Sequence, residues 1–449
     1  MNSRSPHSIR KSERGSVLVI VLCLAFGLVS IALYFADSMS QDLRASDNRV
    51  SGLAADQAIE GAQRYVTTIL SLYATNGCVP DLTQYQAEAV PVGSSHFWII
   101  GREPSGTPAA EPYFALIAEN SKLYLNRAST NTWQMLPLQN LTPDFVQSVR
   151  DWRTTNGAML ASINYAPMNY APKGASFETL DELRLVYGSS MDLLAGEDVN
   201  RNGVLDENET DTNGNGQLDP GLFEYVSGYG REPNLHADGS SFTNVNNQAQ
   251  FRPYLVSKLG SSRAGQIMAR LVRTTGSGRN ARTTPITFSN LLQFYLTSGM
   301  NSTEFGQIAN DITASSGNNI SGRININTAS PTVLQCLPGM DLGTAQQLVS
   351  YRQQNANNLT SIAWIVDALG ASSPVIQSLA QGDYITIHSF QFTADIAAIG
   401  PYGRGYRRTK FIFDLSAGQV RIIYRQDLSR LGWALGKNAR ATYVTKEQG

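Results

Sequence analysis

Twelve residues, Asp198 to Glu209, carry the side chains and the spacing to wrap a cation. They read D-V-N-R-N-G-V-L-D-E-N-E, with oxygen-bearing side chains at loop positions 1, 3, 5, 9 and 12: Asp198, Asn200, Asn202, Asp206 and Glu209. Gly203 stands at position 6, Val204 offers its carbonyl at 7, and apolar Leu205 follows at 8. Calcium takes about six to eight oxygens, and a loop of this length turns on a glycine and closes with a bidentate glutamate. Thirteen residues on, the pattern restarts as Asp211, Asn213, Asn215, Gly216, Gln217 and Asp219, but its twelfth position is Leu222. The second set is incomplete unless Glu224 or a residue from elsewhere supplies the closing oxygen. Eight acids and one arginine lie between Glu197 and Glu224. Without a cation they repel one another and the stretch is expected to be disordered, so the expected role of Ca2+ is structural. Asparagine in place of aspartate lowers the ligand charge and suits modest affinity in a calcium-rich exterior. The competing reading is an acidic, Asn/Gly-rich surface loop that holds no ion.

No constellation for catalysis accompanies this loop. His7, His96, His236 and His388 are isolated, and no nucleophile elbow, zinc-protease helix, Cys-x-x-Cys pair or phosphate-cradling glycine loop occurs. The chain therefore reads as a non-enzyme. A net charge of −1 gives no global pull toward nucleic acid. Three cysteines make no disulfide framework; Cys78 and Cys336 could pair in an oxidising compartment, and Cys23 lies in an apolar run.

The elements that present the loop begin at the N-terminus. Ser16 to Ala36 holds no charge and no proline. As a helix it spans the ~30 Å core of a bilayer. Arg4, Arg10, Lys11 and Arg14 precede it against Glu13. That bias keeps the N-terminus cytoplasmic and exports the rest on a single span. The apolar run is too long for a cleaved secretory signal, and Leu22 before Cys23 does not suit a lipoprotein signal. Two readings remain: a plain signal anchor, or a basic leader cut between Gly15 and Ser16. No proline occurs between Pro6 and Pro80, so one helix can run to about Leu72. Beyond Ala36 it turns amphipathic, with Leu43, Val50, Ala54, Ala58, Ala62, Tyr65, Ile69 and Leu72 on one face. Asp42, Arg44, Asp47, Arg49, Asp56, Glu60 and Arg64 fall on the other.

Strand signals follow at 97–101, 113–119 and 122–126, the last two reading as a hairpin turning at Asn120-Ser121. Thr142-Pro143 opens a helix as N-cap and first residue, with Phe145, Val149 and Trp152 inward. Ser176 or Thr179 caps another over Leu180, Leu183, Leu185 and Val186. The stretch from Asn244 to Asp311 reads as helical and polar, broken by a flexible Thr274–Thr284 run, with no legible chemistry. Residues 322–353 (GRININTASPTVLQCLPGMDLGTAQQLVSYRQ) form a helix-hairpin-helix pattern. Asp341 stands where a DNA-binding hairpin offers a backbone N–H to phosphate, and the surface is not basic, so a structural hairpin is favoured and no nucleic-acid partner is expected. Strands return at 383–393, 407–415 and 420–425. Nine basic residues between Tyr402 and Arg440 face only Asp414 and Asp427; they form either a solvated sheet face or a subunit contact.

The Gly15/Ser16 leader and the membrane-continuous amphipathic helix resemble the type IV pilin and type II secretion pseudopilin superfamily. Arg150-Asp151-Trp152-Arg153, the tyrosine-rich loop after it and the Phe177–Gly188 run FETLDELRLVYG resemble minor pseudopilin K. Most members carry Glu at the fifth mature position; here it is Ile20, as is usual in pseudopilin K. The resemblance implies an α+β fold: a pilin-like long N-terminal helix plus an antiparallel sheet, interrupted by a large all-α insertion with helix-hairpin-helix, SAM-like elements. The implied layout is a 1–15 leader, a 16–36 transmembrane half-helix, pilin-like parts at 37–132 and 381–435, an inserted domain at 133–380 and a 436–449 tail. The calcium loop at 198–224 and the hairpin at 322–353 lie inside the insertion. It further implies cleavage by a prepilin peptidase after Gly15, N-methylation of Ser16, Ca2+ in the helical domain, and packing against I- and J-like minor pseudopilins and the major pseudopilin. The role implied is to cap and nucleate a periplasmic pseudopilus. A membrane-anchored DNA receptor and a calcium-dependent surface adhesin are the alternatives.

Overall fold

The computed structural model describes residues 14–106, 109–275 and 282–444. Most of the expected leader, with Arg4, Arg10 and Lys11, lies outside the described residues, as do residues 445–449 of the tail. With no proline to interrupt it, helix α1 runs from Arg14 to Ser71, 58 residues, or about 87 Å. Residues 17–36 are exposed along their whole length, and α1 is long and apolar enough to cross a membrane, as a single-pass anchor.

From Ser51 onward α1 packs on a sheet. Its strands are β1 (Val90–Val92), β2 (Ser95–Ile100), β3 (Ile117–Ala118), β4 (Gln391–Ile399), β5 (Arg407–Asp414) and β6 (Arg421–Asp427). The order is β1-β2-β4-β5-β6, with β3 also on β4 and every pairing antiparallel. Thus β2 and β4 are neighbours, Ile99 opposite Ile396, although some 290 residues separate them. All nine residues of β4 are buried, because both sheet faces are covered. Phe392, Ala394, Ile396 and Ala398 join Phe97, Ile99, Phe411 and Phe413 against Ala55, Ala58, Ile59, Ala62, Val66 and Leu70 of α1. The alternate residues Ala397 and Ile399 meet Trp98, Ile100, Ala434 and Leu435 on the back. The C-terminal segment is more than a tail. Gly436–Tyr443 is helical, and Tyr443 stands edge-on to Trp98 with centroids 5.1 Å apart.

Burial on α1 begins later than its apolar pattern suggests. Leu43, Val50 and Leu72 are exposed. The sheet sets the limit: nine residues of β4 reach about 31 Å, matched by the 21 helical residues from Ser51 to Ser71 at about 1.5 Å each. The charged face of α1 takes up part of the C-terminal basic cluster. Arg404 reaches Asp47 at 3.5 Å, Arg407 reaches Asp56 at 3.5 Å and Arg425 reaches Glu60 at 2.8 Å. These exposed pairs fix register more than they stabilise.

Two local expectations fail for identifiable reasons. The 113–126 hairpin does not form: Ile117–Ala118 pairs with β4, while Leu123–Tyr124 runs parallel to Val226–Ser227. The Glu119–Ser121 turn between them carries the chain from the sheet into the insertion, and buried Glu119 accepts from Thr393 on one side and Ser227 on the other. In sequence Val420, Ile422 and Tyr424 alternate with Arg421, Ile423 and Arg425, as in a half-buried strand, but a bulge breaks that alternation. Phe413 pairs Ile422 and Ile412 pairs Tyr424, so Ile422 and Ile423 are both exposed on an edge strand. Cys78 and Cys336 are unpaired.

The insertion carries many helices, but it is not all helix. Five two-stranded pairings sit among its helices and at its seam with the sheet, where buried extended segments satisfy one another's peptide groups. Thr142 caps Pro143–Trp152 as expected. Thr179 and Glu182 make a reciprocal capping box over Leu180–Leu185, which winds as a 3-10 helix and not an α-helix. Helices Pro331–Leu334 and Leu342–Gln354 flank the turn that holds Gly339 and Asp341. The Asp341 carboxylate caps the second helix by accepting from Thr344 N at 2.7 Å. At the seam, Glu232 is buried beside Arg323, and burial pushes its carboxyl up to about 7.

Candidate metal centre

The loop region hangs from a narrow neck. Glu197 N donates to Asp219 O and Gly221 N to Ala195 O, so residues 197–219 leave and return at one point. Gly196 is required there: at φ +62° a Cβ would lie 2.4 Å from Asp219 O. Two turns follow, and they repeat one backbone. Positions 4 and 6 are left-handed in both, Arg201 (φ 59°) and Gly203 (φ 84°) in the first, Gly214 and Gly216 (φ 71° each) in the second.

Their hydrogen bonds repeat as well. In the first loop the Asp198 carboxylate accepts from Asn202 N at 2.8 Å and Gly203 N at 3.0 Å. Asn202 Oδ1 accepts from Val204 N, and the Asn200 and Asn202 amides both donate to Asp206 Oδ2. Glu209 closes the loop, accepting from Asn200 N at 3.0 Å and Asp206 N at 3.1 Å. In the second loop the Asp211 carboxylate accepts from Asn215 N and Gly216 N. Asn215 Oδ1 accepts from Gln217 N, and Asn213 and Asn215 donate to Asp219 Oδ2. The closing carboxylate is Glu197, which accepts from Thr212 N at 2.6 Å and Asp219 N at 2.9 Å. It takes the place Glu209 takes in the first loop. Sequence reasoning left this residue open and named Glu224 as a candidate, but Glu224 is bound to Arg102 at 2.7 Å. The signal was there in part: Glu197 is next to Asp198, and the antiparallel neck brings it to the second loop.

The donor set suits a hard cation. Asp198, Asn200, Asn202, Asp206 and Glu209, with the Val204 carbonyl, bring only oxygen to the first loop. Asp211, Asn213, Asn215, Gln217 and Asp219, with Glu197, do the same for the second. Among the described residues no three acidic, His or Cys side chains converge as a metal cluster; amide and backbone oxygens make up the rest of each set. The first loop is the buried one. Burial pushes the carboxyls of Asp198 and Glu209 up, against backbone N–H donors at both and against Arg102 at Asp198. Burial also opposes charge at Glu197, but donors from Thr212 and Asp219 outweigh it and hold its pKa low. Asp211, on the exposed loop, is held low by the Gly216 amide.

The first loop is fastened to the back of the sheet. Arg408, fully buried on β5, grips Asp395 of β4 with two bonds of 2.8 and 2.7 Å. It also donates to the carbonyls of Asn200 at 2.5 Å and Arg201 at 2.9 Å. Burial works against the Arg408 charge, but Asp395 outweighs it and raises the pKa. Arg102, just past β2, donates to Arg201 O at 3.2 Å and lies 3.7 Å from Asp198. Asn200 and Asn202 reach the carbonyls of Trp433 and Ala434. Sheet, loop and C-terminal segment therefore meet at one place. At the other end of the chain, Gly15 and Ser16 fall inside α1, and Ile20 is exposed on its apolar span.

Comparison with known proteins places the closing segment of the insertion. The family model for type II secretion system protein K matches residues 324–386. This stretch begins within the 322–353 helix pair and ends at Thr386, just before β4. An α+β protein with an N-terminal helix long and apolar enough to cross a membrane thus carries a segment similar to protein K. The family is the one the sequence resembles. No curated protein matches the chain. Among solved structures, a chain of the GspK-GspI-GspJ complex from the enterotoxigenic Escherichia coli type 2 secretion system is similar at 10% identity and a TM-score of 0.30. The alignment covers 87% of this chain and 99% of that one, a likeness too loose to transfer residues.

Proposed function

We propose that the chain is a minor pseudopilin of a type II secretion system that caps the tip of a periplasmic pseudopilus and nucleates its assembly. The protein K match over residues 324–386 carries this reading. Prepilin peptidase cuts after Gly15, Ser16 becomes the mature, N-methylated end, and α1 holds the chain in the inner membrane with its head in the periplasm. The exposed stripe of Leu43, Val50 and Leu53 on α1 offers its packing face to I- and J-like minor pseudopilins and to the major pseudopilin. Within a bilayer the absence of a carboxylate at Ile20 leaves a neighbour's terminal amine unpaired. That suits an end subunit, as does an insertion too bulky to stack inside a filament. Each loop holds one Ca2+, the first through Asp198, Asn200, Asn202, Val204, Asp206 and Glu209, the second through Asp211, Asn213, Asn215, Gln217, Asp219 and Glu197. The ion supplies positive charge; the residues supply the fold that keeps the loop on Arg408 and Arg102. Deleting the gene should leave the system's cargo in the periplasm, and restoring the full chain should return cargo to the medium. Undiminished secretion in the deletion strain would overturn the reading.

A further inference from the structure

Between Gly239 and Thr303 the chain carries seven basic residues and no acidic one. Two of the seven are neutralised from outside the stretch: Lys258 by Asp311 at 2.9 Å and Arg263 by Glu304 at 2.7 Å. The stretch also contains a two-stranded antiparallel ribbon, Val272–Thr275 against Arg282–Pro285. Seven of its eight residues are exposed, and among the described residues its two strands pair only with each other, so both edges are open. Register and alternation set its faces. Arg273 is opposite Thr284 and Thr275 opposite Arg282, which puts both arginines and both threonines on one face. Arg273 and Arg282 are then diagonal neighbours about 7–8 Å apart. Neither makes an ion pair among the described residues. Like charges on one face of a ribbon oppose its formation, and a two-stranded ribbon has little stability to spare. An anion lying across both guanidiniums would remove that penalty.

We infer that this ribbon is a docking finger for an extended, carboxylate-bearing segment of a protein partner. Arginine presents a planar fork that takes carboxylates two bonds at a time, and an open edge accepts an added strand. Other anionic partners fit less well. A lipid surface calls for a larger basic cluster or an apolar wedge, and the opposite face holds only Val272, Thr274, Thr283 and Pro285. The chain's own bilayer is also out of reach. The ribbon leads into Leu291 and Leu292, which line a cavity with Thr75 and Asn76 beyond the far end of α1. Nucleic acid calls for a broad basic surface, and the flanking Lys258 and Arg263 are already paired. The finger does not depend on the calcium loops.

The test uses the full chain in detergent and a fluorescein-labelled polyglutamate peptide, read by anisotropy. The wild type should bind it, and R273Q/R282Q together should weaken binding about tenfold or more, with binding fading toward about 150 mM salt. R252Q, on the helix Gln248–Leu259 two helices before the ribbon, should bind as the wild type does. Circular dichroism of each variant separates misfolding from lost contact. Equal binding by R273Q/R282Q, equal loss with R252Q, or binding to phosphatidylglycerol vesicles or DNA in place of the peptide would overturn the inference.

Discussion

Adding calcium to the chelator-treated protein will raise the melting temperature of the inserted part, and Glu197→Gln will remove about half of the gain. A ligand at roughly 100 times its Kd stabilises by about 2.7 kcal/mol per site. Two loops together contribute about 5 kcal/mol, a shift on the order of 10 °C. Titration calorimetry should count two ions on the wild type and one on E197Q. The pairing of Glu197 with the amides of Thr212 and Asp219 is what makes this specific. Glutamine keeps one acceptor oxygen in place of two and loses the charge, while the backbone bonds of the neck, Glu197 N to Asp219 O and Gly221 N to Ala195 O, remain, so the neck stays closed and the ion is lost. E209Q should lose the other ion. A wild type indifferent to calcium, or E197Q still binding two ions, would contradict the assignment.

The second large effect belongs to Arg408. Replacing it with methionine strands Asp395 in a buried site, removes the donor to the Asn200 carbonyl and leaves the Arg201 carbonyl with Arg102 alone. Breaking a buried pair by removing one partner costs about 3–5 kcal/mol. R408M should therefore shift the urea midpoint strongly, while the double variant R408M/D395L should recover most of the loss, since an apolar replacement of both partners is close to neutral. Loop 198–224 should meanwhile become more open to protease in both variants, because neither restores a donor to the loop. A shift below about 1 kcal/mol for R408M would mean that the loop does not depend on the sheet.

Much of this architecture was legible from local signals. The uninterrupted α1, the Thr142 cap and the doubled loop each depend on a few residues close in sequence, where periodicity, capping and glycine placement speak directly. What escaped depended on distant partners. The strand at Ile117–Ala118 looked like half of a hairpin because its true partner, β4, lies beyond the whole insertion. The length of α1 that is buried is set by the span of a sheet assembled from both ends of the chain. Glu197 was invisible as a closing residue because it precedes the loop it completes, and only the antiparallel neck brings it there. The strands Val272–Thr275 and Arg282–Pro285 read as a flexible break because the Gly/Ser/Asn-rich sequence between their threonines masks the pairing that only the register reveals.

N-terminal sequencing of the mature chain, from cells with and without prepilin peptidase, tests the central reading most directly. A mature chain that begins at Ser16 only when the peptidase is present is the expected result. A chain that keeps its basic leader in both strains, or that is cut elsewhere, would contradict it.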